Sequence, residues 1–143
     1  MTREEQLKEI NEAFLAGQNA LEALNEAEKN LSTARTAGIW DMLGGGLISG
    51  MLKHSKMDKA QECVDRAQQA LQRFQRELSD VNMIFDYGVK FDGVTKAIDL
   101  LFDNFFVDAM IQSKIKEAQE NISKTKQQVQ KALYKLQQMK EML

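Results

Sequence analysis

The sequence predicts an all-α fold, an elongated antiparallel helical bundle with coiled-coil seams and short apolar helices at one end. Its 143 residues include no proline and are rich in Ala, Leu, Glu, Lys and Gln, which favour helices. Apolar residues recur at spacings that alternate between three and four, as they do in packed helices. The content of 43% apolar and 28% charged residues is ordinary for a folded chain, so we expect one helical domain over residues 1–143.

The first long helix is predicted to run from Thr2 to about Ala37. Thr2 and Glu5 match a capping box, in which each side chain accepts a hydrogen bond from an orphan amide. Gly38 is a suitable C-cap. Because two apolar rows repeat every seven residues, the apolar face is wide enough to contact two neighbouring helices. These rows are Ile10, Gly17, Leu24 and Leu31, and Ala13, Ala20, Ala27 and Ala34.

A second long helix is predicted to begin at another capping box, Ser55-Lys56-Met57-Asp58, and to end near Ile84. The preceding segment, Gly38 to His54, contains three consecutive glycines but is too apolar for a solvated loop, so we expect a short helix or a packed turn there. The seam of the second helix keeps the alternating spacing for more than three heptads. It consists of Met57, Ala60, Val64, Ala67, Leu71, Phe74, Leu78 and Val81.

The final stretch, Val94 to Leu143, has no glycine or proline and follows an irregular connection from Phe85 to Gly93. The pattern leaves open whether this stretch is one helix or bends near Ser113. A bulky apolar cluster comes first, made of Ile98, Leu101, Phe102, Phe105, Phe106, Ala109 and Met110. A third seam follows, made of Ile115, Ala118, Ile122, Thr125, Val129, Ala132, Leu136 and Met139.

Residues 40–84 and 98–142 form an internal repeat at an offset of 58. We interpret them as two similar units, in each of which an apolar segment leads into a seam helix. The glycines at 44–46 align with residues 102–104, so small residues in one unit are predicted to accommodate aromatic bulk from the other. The best-matched positions are Ser55 with Ser113, Lys56 with Lys114, Val64 with Ile122, Leu71 with Val129, and Leu78 with Leu136.

Charge is unevenly distributed along the chain. Residues 1–37 carry four basic and seven acidic side chains, a net charge of −3, whereas residues 112–143 carry seven basic and three acidic, a net charge of +4. An acidic first helix beside a basic last helix would be mutually favourable. Each exposed ion pair contributes only about 0.2–1 kcal/mol, so these charges select orientation more than they stabilise. The overall net charge of −2 gives no reason to expect nucleic-acid binding, and the lysines of the last helix are expected to form a solvated face.

Three features favour a cytoplasmic location. The single cysteine, Cys63, cannot form an internal disulfide, which suits a reducing compartment. The first residues are too polar and acidic for a signal peptide. The longest uncharged apolar run, Met42 to Leu52, has 11 residues, whereas a membrane-spanning helix needs about 18.

No catalytic, cofactor-binding or metal-binding residue is predicted, and we do not expect an enzyme. His54 is the only histidine and could pair with Asp58, but a zinc site needs three or four ligands. Cys63 lies beside a seam, so a structural thiol is expected. The glycines at 44–46 lack the preceding strand and the following Lys-Ser/Thr of a phosphate loop. Carboxylates within the apolar blocks are expected to cap helices or pair with lysine rather than do acid–base chemistry; these are Asp41, Asp99, Asp103 and Asp108.

The apolar segments 39–52 and 98–111 are the strongest candidates for a functional surface. They are predicted either to pack together and close one end of the bundle, or to remain exposed as an interface. The expected function is a non-catalytic scaffold that binds a protein partner or a second copy as a homodimer. The alternative is a peripheral protein that binds a membrane surface through the same segments. The candidate interaction patch is Trp40, Leu43, Leu47, Ile48, Leu101, Phe102, Phe105 and Phe106.

Two motifs carry a resemblance to a known group of proteins: Trp40-Asp41-Met42-Leu43-Gly44-Gly45-Gly46, and Lys53-His54-Ser55-Lys56-Met57-Asp58-Lys59-Ala60-Gln61. Together with Phe102-Asp103 and Gln112-Ser113-Lys114-Ile115, they resemble the signatures of an uncharacterised family of bacterial helical proteins. The resemblance covers roughly residues 37–143. It implies a helical fold and no activity.

Overall fold

A computed structural model describes the backbone of residues 2–42, 47–84, 91–105 and 112–143, and the side chains of residues 2–32, 62–83, 91, 93–100 and 116–143. Its elements are all helices, which confirms the all-α prediction. They are α1 (Arg3–Met42), α2 (Leu47–Ile84), α3 (Asp92–Phe105) and α4 (Gln112–Glu141). Within this described part, no helix combines the length and the apolar character needed to cross a bilayer.

Helices α1 and α2 form an antiparallel hairpin. The Asn30 amide Nδ2 donates a hydrogen bond to Cys63 Sγ at 3.3 Å. Gly17 of α1 lies against Phe74 of α2. Gly17 is thirteen residues before Asn30, whereas Phe74 is eleven residues after Cys63. Because the residue numbers in α1 fall as those of their partners in α2 rise, the two helices run in opposite directions.

Helix α4 is antiparallel to both α1 and α3. Lys126 Nζ lies 3.3 Å from the Glu28 carboxylate of α1. On the other side of α4, the Thr125 hydroxyl lies 3.4 Å from the Ala97 carbonyl of α3. The acidic first helix and the basic last helix are therefore neighbours, and the Lys126–Glu28 ion pair joins them.

The four helices form a ring in which sequence neighbours are spatial neighbours. Helix α1 packs against α2 and α4, and α3 packs against α4 and more sparsely against α2, while the diagonal pairs do not touch within the described residues. This is the up-down-up-down arrangement of a helical bundle. It places the end of α1, the start of α2, the end of α3 and the start of α4 at one end of the bundle.

The core follows the predicted seams wherever their side chains are described. Each of the three long helices contributes one apolar face, and α3 adds Val94 and Ile98 together with the preceding Phe91. The largest enclosed side chains include Phe74, Ile10 and Leu24. The described seam residues of α2 and α4 are all buried; they are Val64, Ala67, Leu71, Phe74, Leu78, Val81, Ala118, Ile122, Thr125, Val129, Ala132, Leu136 and Met139.

The first capping box is confirmed. The Glu5 amide donates to Thr2 Oγ1 at 3.2 Å, and the Thr2 amide donates to Glu5 Oε2 at 3.1 Å. Both residues are exposed, so these reciprocal bonds satisfy two amides that otherwise have no partner inside the helix.

Two predicted helix boundaries are wrong. Helix α1 continues past the expected C-cap Gly38 to Met42, and α2 begins at Leu47, so Ser55 lies inside a helix and does not start one. A glycine in a helix interior costs only about 1 kcal/mol, and a capping-box sequence is compatible with a continuing helix. The predicted short helix or packed turn over residues 38–54 is therefore mostly an extension of α1 and α2.

The final stretch is not one helix. It forms two antiparallel helices, and the second of them, α4, begins at Gln112, one residue before Ser113. The predicted short apolar helix is α3, which packs along α4. The internal repeat stays a prediction, and its proposed contact between glycines 44–46 and residues 102–104 lies outside the described side chains.

Candidate functional site

The predicted interaction patch lies outside the described residues. Leu43 and Phe106 are not described at all, and the other six contribute only their helical backbone; these are Trp40, Leu47, Ile48, Leu101, Phe102 and Phe105. The order of the helices nevertheless brings the four relevant helix ends to one end of the bundle. The patch as such stays a prediction.

The described surface has a groove that the sequence reasoning missed, between α3 and α4. It consists of two hollows, of about 610 and 330 Å³, which share Gly93, Gln127 and Gln128. Phe91, Val94 and Ala97 contribute apolar surface from one wall, and Ala132 contributes it from the other. We call this surface the α3–α4 groove.

Two large side chains of the α3–α4 groove are exposed. Tyr134 is 66% exposed and Leu100 is 58% exposed. Single exposed apolar residues are common on proteins, but here they border concave, partly apolar surface. An apolar body with a polar tip, as in tyrosine, is typical of interface residues.

The α3–α4 groove is positively charged. Its lining includes Lys96, Lys124, Lys131 and Lys135, and none of the described lining residues is acidic. Four glutamines of α4 also line the groove, namely Gln127, Gln128, Gln130 and Gln138. The groove therefore offers many hydrogen-bond donors and several amide acceptors around an apolar floor.

Packing at the start of α3 shapes the groove. The Lys135 ammonium lies over the Phe91 ring, 5.9 Å from its centroid, in a cation–π contact. At Gly93, an added Cβ would come within 2.6 Å of Gln128 Oε1, which ends a flexible side chain of α4.

Further along the same interface, Thr125 is buried and its hydroxyl donates to the Asn121 carbonyl at 2.8 Å. The Asn121 side-chain Nδ2 is enclosed and has no hydrogen-bond partner among the residues that the structure describes. An enclosed donor without an acceptor costs free energy, which makes Asn121 a weak point of the α3–α4 interface.

A second feature that sequence reasoning missed is a cluster of carboxylates, which we call the acidic edge: Glu9 and Glu12 of α1 and Glu77 of α2. Their oxygens lie within 4.8 Å of one another. Burial raises the pKa of the Glu77 carboxyl above its usual value, and the charges of Glu12, Asp80 and Glu9 raise it further, while Arg73 lowers it. The acidic edge thus concentrates negative charge that attracts cations.

The acidic edge is a poor match for a calcium site by itself, because Ca²⁺ takes about six to eight oxygen ligands. Only the Glu9–Glu12 spacing was visible in the sequence. The approach of Glu77 depends on the register between two helices, which no local pattern encodes.

The other residues singled out from the sequence are dispersed. Cys63 is buried and accepts the hydrogen bond from Asn30, as expected of a structural thiol. Asp99 is exposed on α3. The remaining candidates lie outside the described side chains; these are His54, Asp58, Asp41, Asp103 and Asp108.

Comparisons of the chain with protein-family models, with curated proteins and with solved structures find no match. The resemblance to the family of bacterial helical proteins therefore stays a prediction.

Proposed function

We propose that this protein is a non-catalytic helical scaffold that binds protein through the α3–α4 groove. The observation that carries the proposal is the exposure of Tyr134 and Leu100 beside an apolar floor that is bordered by lysines. Aromatic and aliphatic anchors surrounded by polar side chains are the common anatomy of a protein interface.

The shape of the bundle suits this role. Helix α3, which forms one wall of the groove, has 14 residues, so this wall is about 21 Å long at 1.5 Å per residue. A groove that runs along two helices fits an elongated, amphipathic partner such as a helix. The groove lining of Lys, Gln, Tyr and apolar residues supports binding and positioning rather than bond-breaking chemistry.

Site-specific photo-crosslinking in cells that express the protein tests the docking function. A photoreactive amino acid in place of Tyr134 is expected to give discrete protein adducts, whereas the same group in place of exposed Lys116, in a depression between α1 and α4, is expected to give none. The adducts should be lost when Lys124 and Lys131 are changed to glutamate. Adducts only to lipid or to nucleic acid, or equal adducts at both positions, would reject the docking function.

A second candidate is the peripheral membrane protein predicted from the apolar segments 39–52 and 98–111. The observation in its favour is that Met42, Leu47, Phe105 and Gln112 end or begin helices at the same end of the bundle. Clustered apolar segments favour binding to the interfacial region of a bilayer. Flotation with neutral and with anionic vesicles tests this candidate, and failure to float with either type would exclude it.

For location, we propose the cytoplasm. Cys63 is buried as a free thiol and accepts a hydrogen bond from Asn30, an arrangement that suits a reducing compartment. Fluorescence of a tagged chain, compared with fractionated markers, tests this proposal.

A further inference from the structure

We propose that the α3–α4 groove binds the acidic edge of a second copy of this chain, so that copies associate side by side. This inference rests on the proposed function of the groove as a protein-docking surface, and it names the partner. The argument combines charge complementarity, the position of the two surfaces on the bundle, and the exposed apolar residues that accompany them.

None of the described residues that line the α3–α4 groove is acidic. From Asn121 to Lys140, α4 carries five lysines and no aspartate or glutamate. Lys126 contacts Glu28 of α1 and is half-buried, whereas Lys124 and Lys131 are exposed in the groove. Charge of one sign along a groove attracts a partner of the opposite sign and steers its approach.

The negative surface belongs to the same chain. Glu9, Glu12 and Glu77 bring their carboxylate oxygens within 4.8 Å of one another. Lys8 Nζ of the same helix lies 4.0 Å from a Glu12 oxygen and offsets part of this charge. Like charges held this close repel, so lysines supplied by a partner would relieve the repulsion that remains. The groove is the richest source of such lysines on the described surface.

The two surfaces face away from each other within one copy. The acidic edge lies between α1 and α2, and the groove lies between α3 and α4, which is the opposite side of the ring of helices. One copy therefore cannot satisfy its own groove with its own acidic edge. The contact joins unlike surfaces of two copies, and such contacts form rows or closed rings.

Apolar residues accompany both surfaces. Leu15, three residues after Glu12 in α1, is 58% exposed, and Tyr134 and Leu100 are exposed in the groove. Packing these side chains together would supply the central apolar contact that charges at a rim do not.

Sedimentation velocity on the full-length chain, with a metal chelator present, tests the inference. The average mass of the wild-type protein is expected to rise with protein concentration. Raising the salt from about 0.1 M to about 1 M shortens the Debye length from about 10 Å to about 3 Å, so it is expected to weaken the association. A wild-type protein that stays monomeric at low salt and high concentration would overturn the inference.

Charge-reversal variants locate the contact. Both E9K/E12K and K124E/K131E are expected to weaken self-association at least about tenfold. Mixing the two variants should restore association. The edge of E9K/E12K has become positive and can bind the groove of K124E/K131E, which has become negative. The matched control K29E/K116E changes the same number of charges in a polar depression between α1 and α4, and it should associate like the wild type.

The variants are surface substitutions, and circular dichroism melts confirm that each is folded before its mass is compared. If the mixture stays monomeric, or if the control loses association equally, the inference is wrong. Photo-crosslinking at position 134 separates this failure from failure of the proposed function. Adducts to a different protein with no chain–chain adduct would retain the docking function and reject the second copy.

Discussion

Gly17 of α1 packs against side chains of both α2 and α4, and replacing it with alanine is expected to destabilise the bundle. An added Cβ would lie 2.5 Å from Leu133 Cδ2 of α4 and 2.8 Å from Phe74 Cε1 of α2. Leu133 is half-buried and its methyl group can move, but Phe74 is fully buried and its ring is enclosed by the core.

Two effects of opposite sign determine how much Gly17→Ala changes the free energy of unfolding. Alanine in place of glycine stabilises a helix by about 1 kcal/mol. Overpacking a well-filled core costs about 1–3 kcal/mol. We therefore expect Gly17→Ala to lower the free energy of unfolding by about 1 kcal/mol, with a fall in Tm of about 4 °C for a chain of this size. Urea unfolding followed by circular dichroism measures the change.

Gly93→Ala is the matched control. Its added Cβ would also be too close to a neighbour, Gln128 Oε1 at 2.6 Å, but that atom ends a flexible side chain at the surface of the groove. We expect a change within about 0.5 kcal/mol. A double-mutant cycle of Gly17→Ala with Phe74→Leu should give a coupling free energy of about 1 kcal/mol, in the direction that offsets the cost of Gly17→Ala. A Gly17→Ala variant more stable than the wild type, with no coupling to Phe74, would refute the reasoning.

Three further predictions concern single side chains. Because the pKa of Glu77 is raised in the folded protein, the native state binds its proton more tightly than the unfolded state, so this group lowers stability as pH rises through its folded pKa. Glu77→Gln should therefore stabilise the bundle near neutral pH by at most about 0.5 kcal/mol, because solvent screens the charge of this partly exposed carboxylate. The gain should vanish in acid; a gain that is independent of pH would contradict the assignment. Thr2→Ala removes one hydrogen bond of the capping box and should cost about 0.5–1 kcal/mol in urea unfolding, whereas Thr2→Ser should be nearly neutral. Asn121→Ala removes an enclosed amide donor that has no partner in the described part of the chain and should stabilise the protein by about 0.5 kcal/mol or more; a destabilised variant would mean that the amide is hydrogen-bonded in solution.

The sequence predicted the fold class and most of the core because both depend on local periodicity. An apolar residue at every third or fourth position forces its segment into a helix that must bury one face. Val64 to Val81 in α2 and Ala118 to Met139 in α4 are buried at the predicted positions for this reason. The capping box at Thr2 was equally predictable, since its two partners are three residues apart.

Helix ends were less predictable, because a single glycine or a capping sequence is a weak local preference. Gly38 and Ser55 both lie inside helices that run on through them. Their local signals amount to about 1 kcal/mol each, which continued hydrogen bonding and packing along an apolar segment can exceed.

Sequence alone determined that this chain is helical, which faces of its helices are apolar, and that its first and last helices carry opposite charge. The tertiary structure decided which helices became neighbours and the register in which each packs along the next. That register depends on how side chains from different helices interlock, as Gly17, Phe74 and Leu133 do, and it is not a property of any one segment. The acidic edge and the α3–α4 groove are consequences of register, which is why neither could be found until the helices were packed.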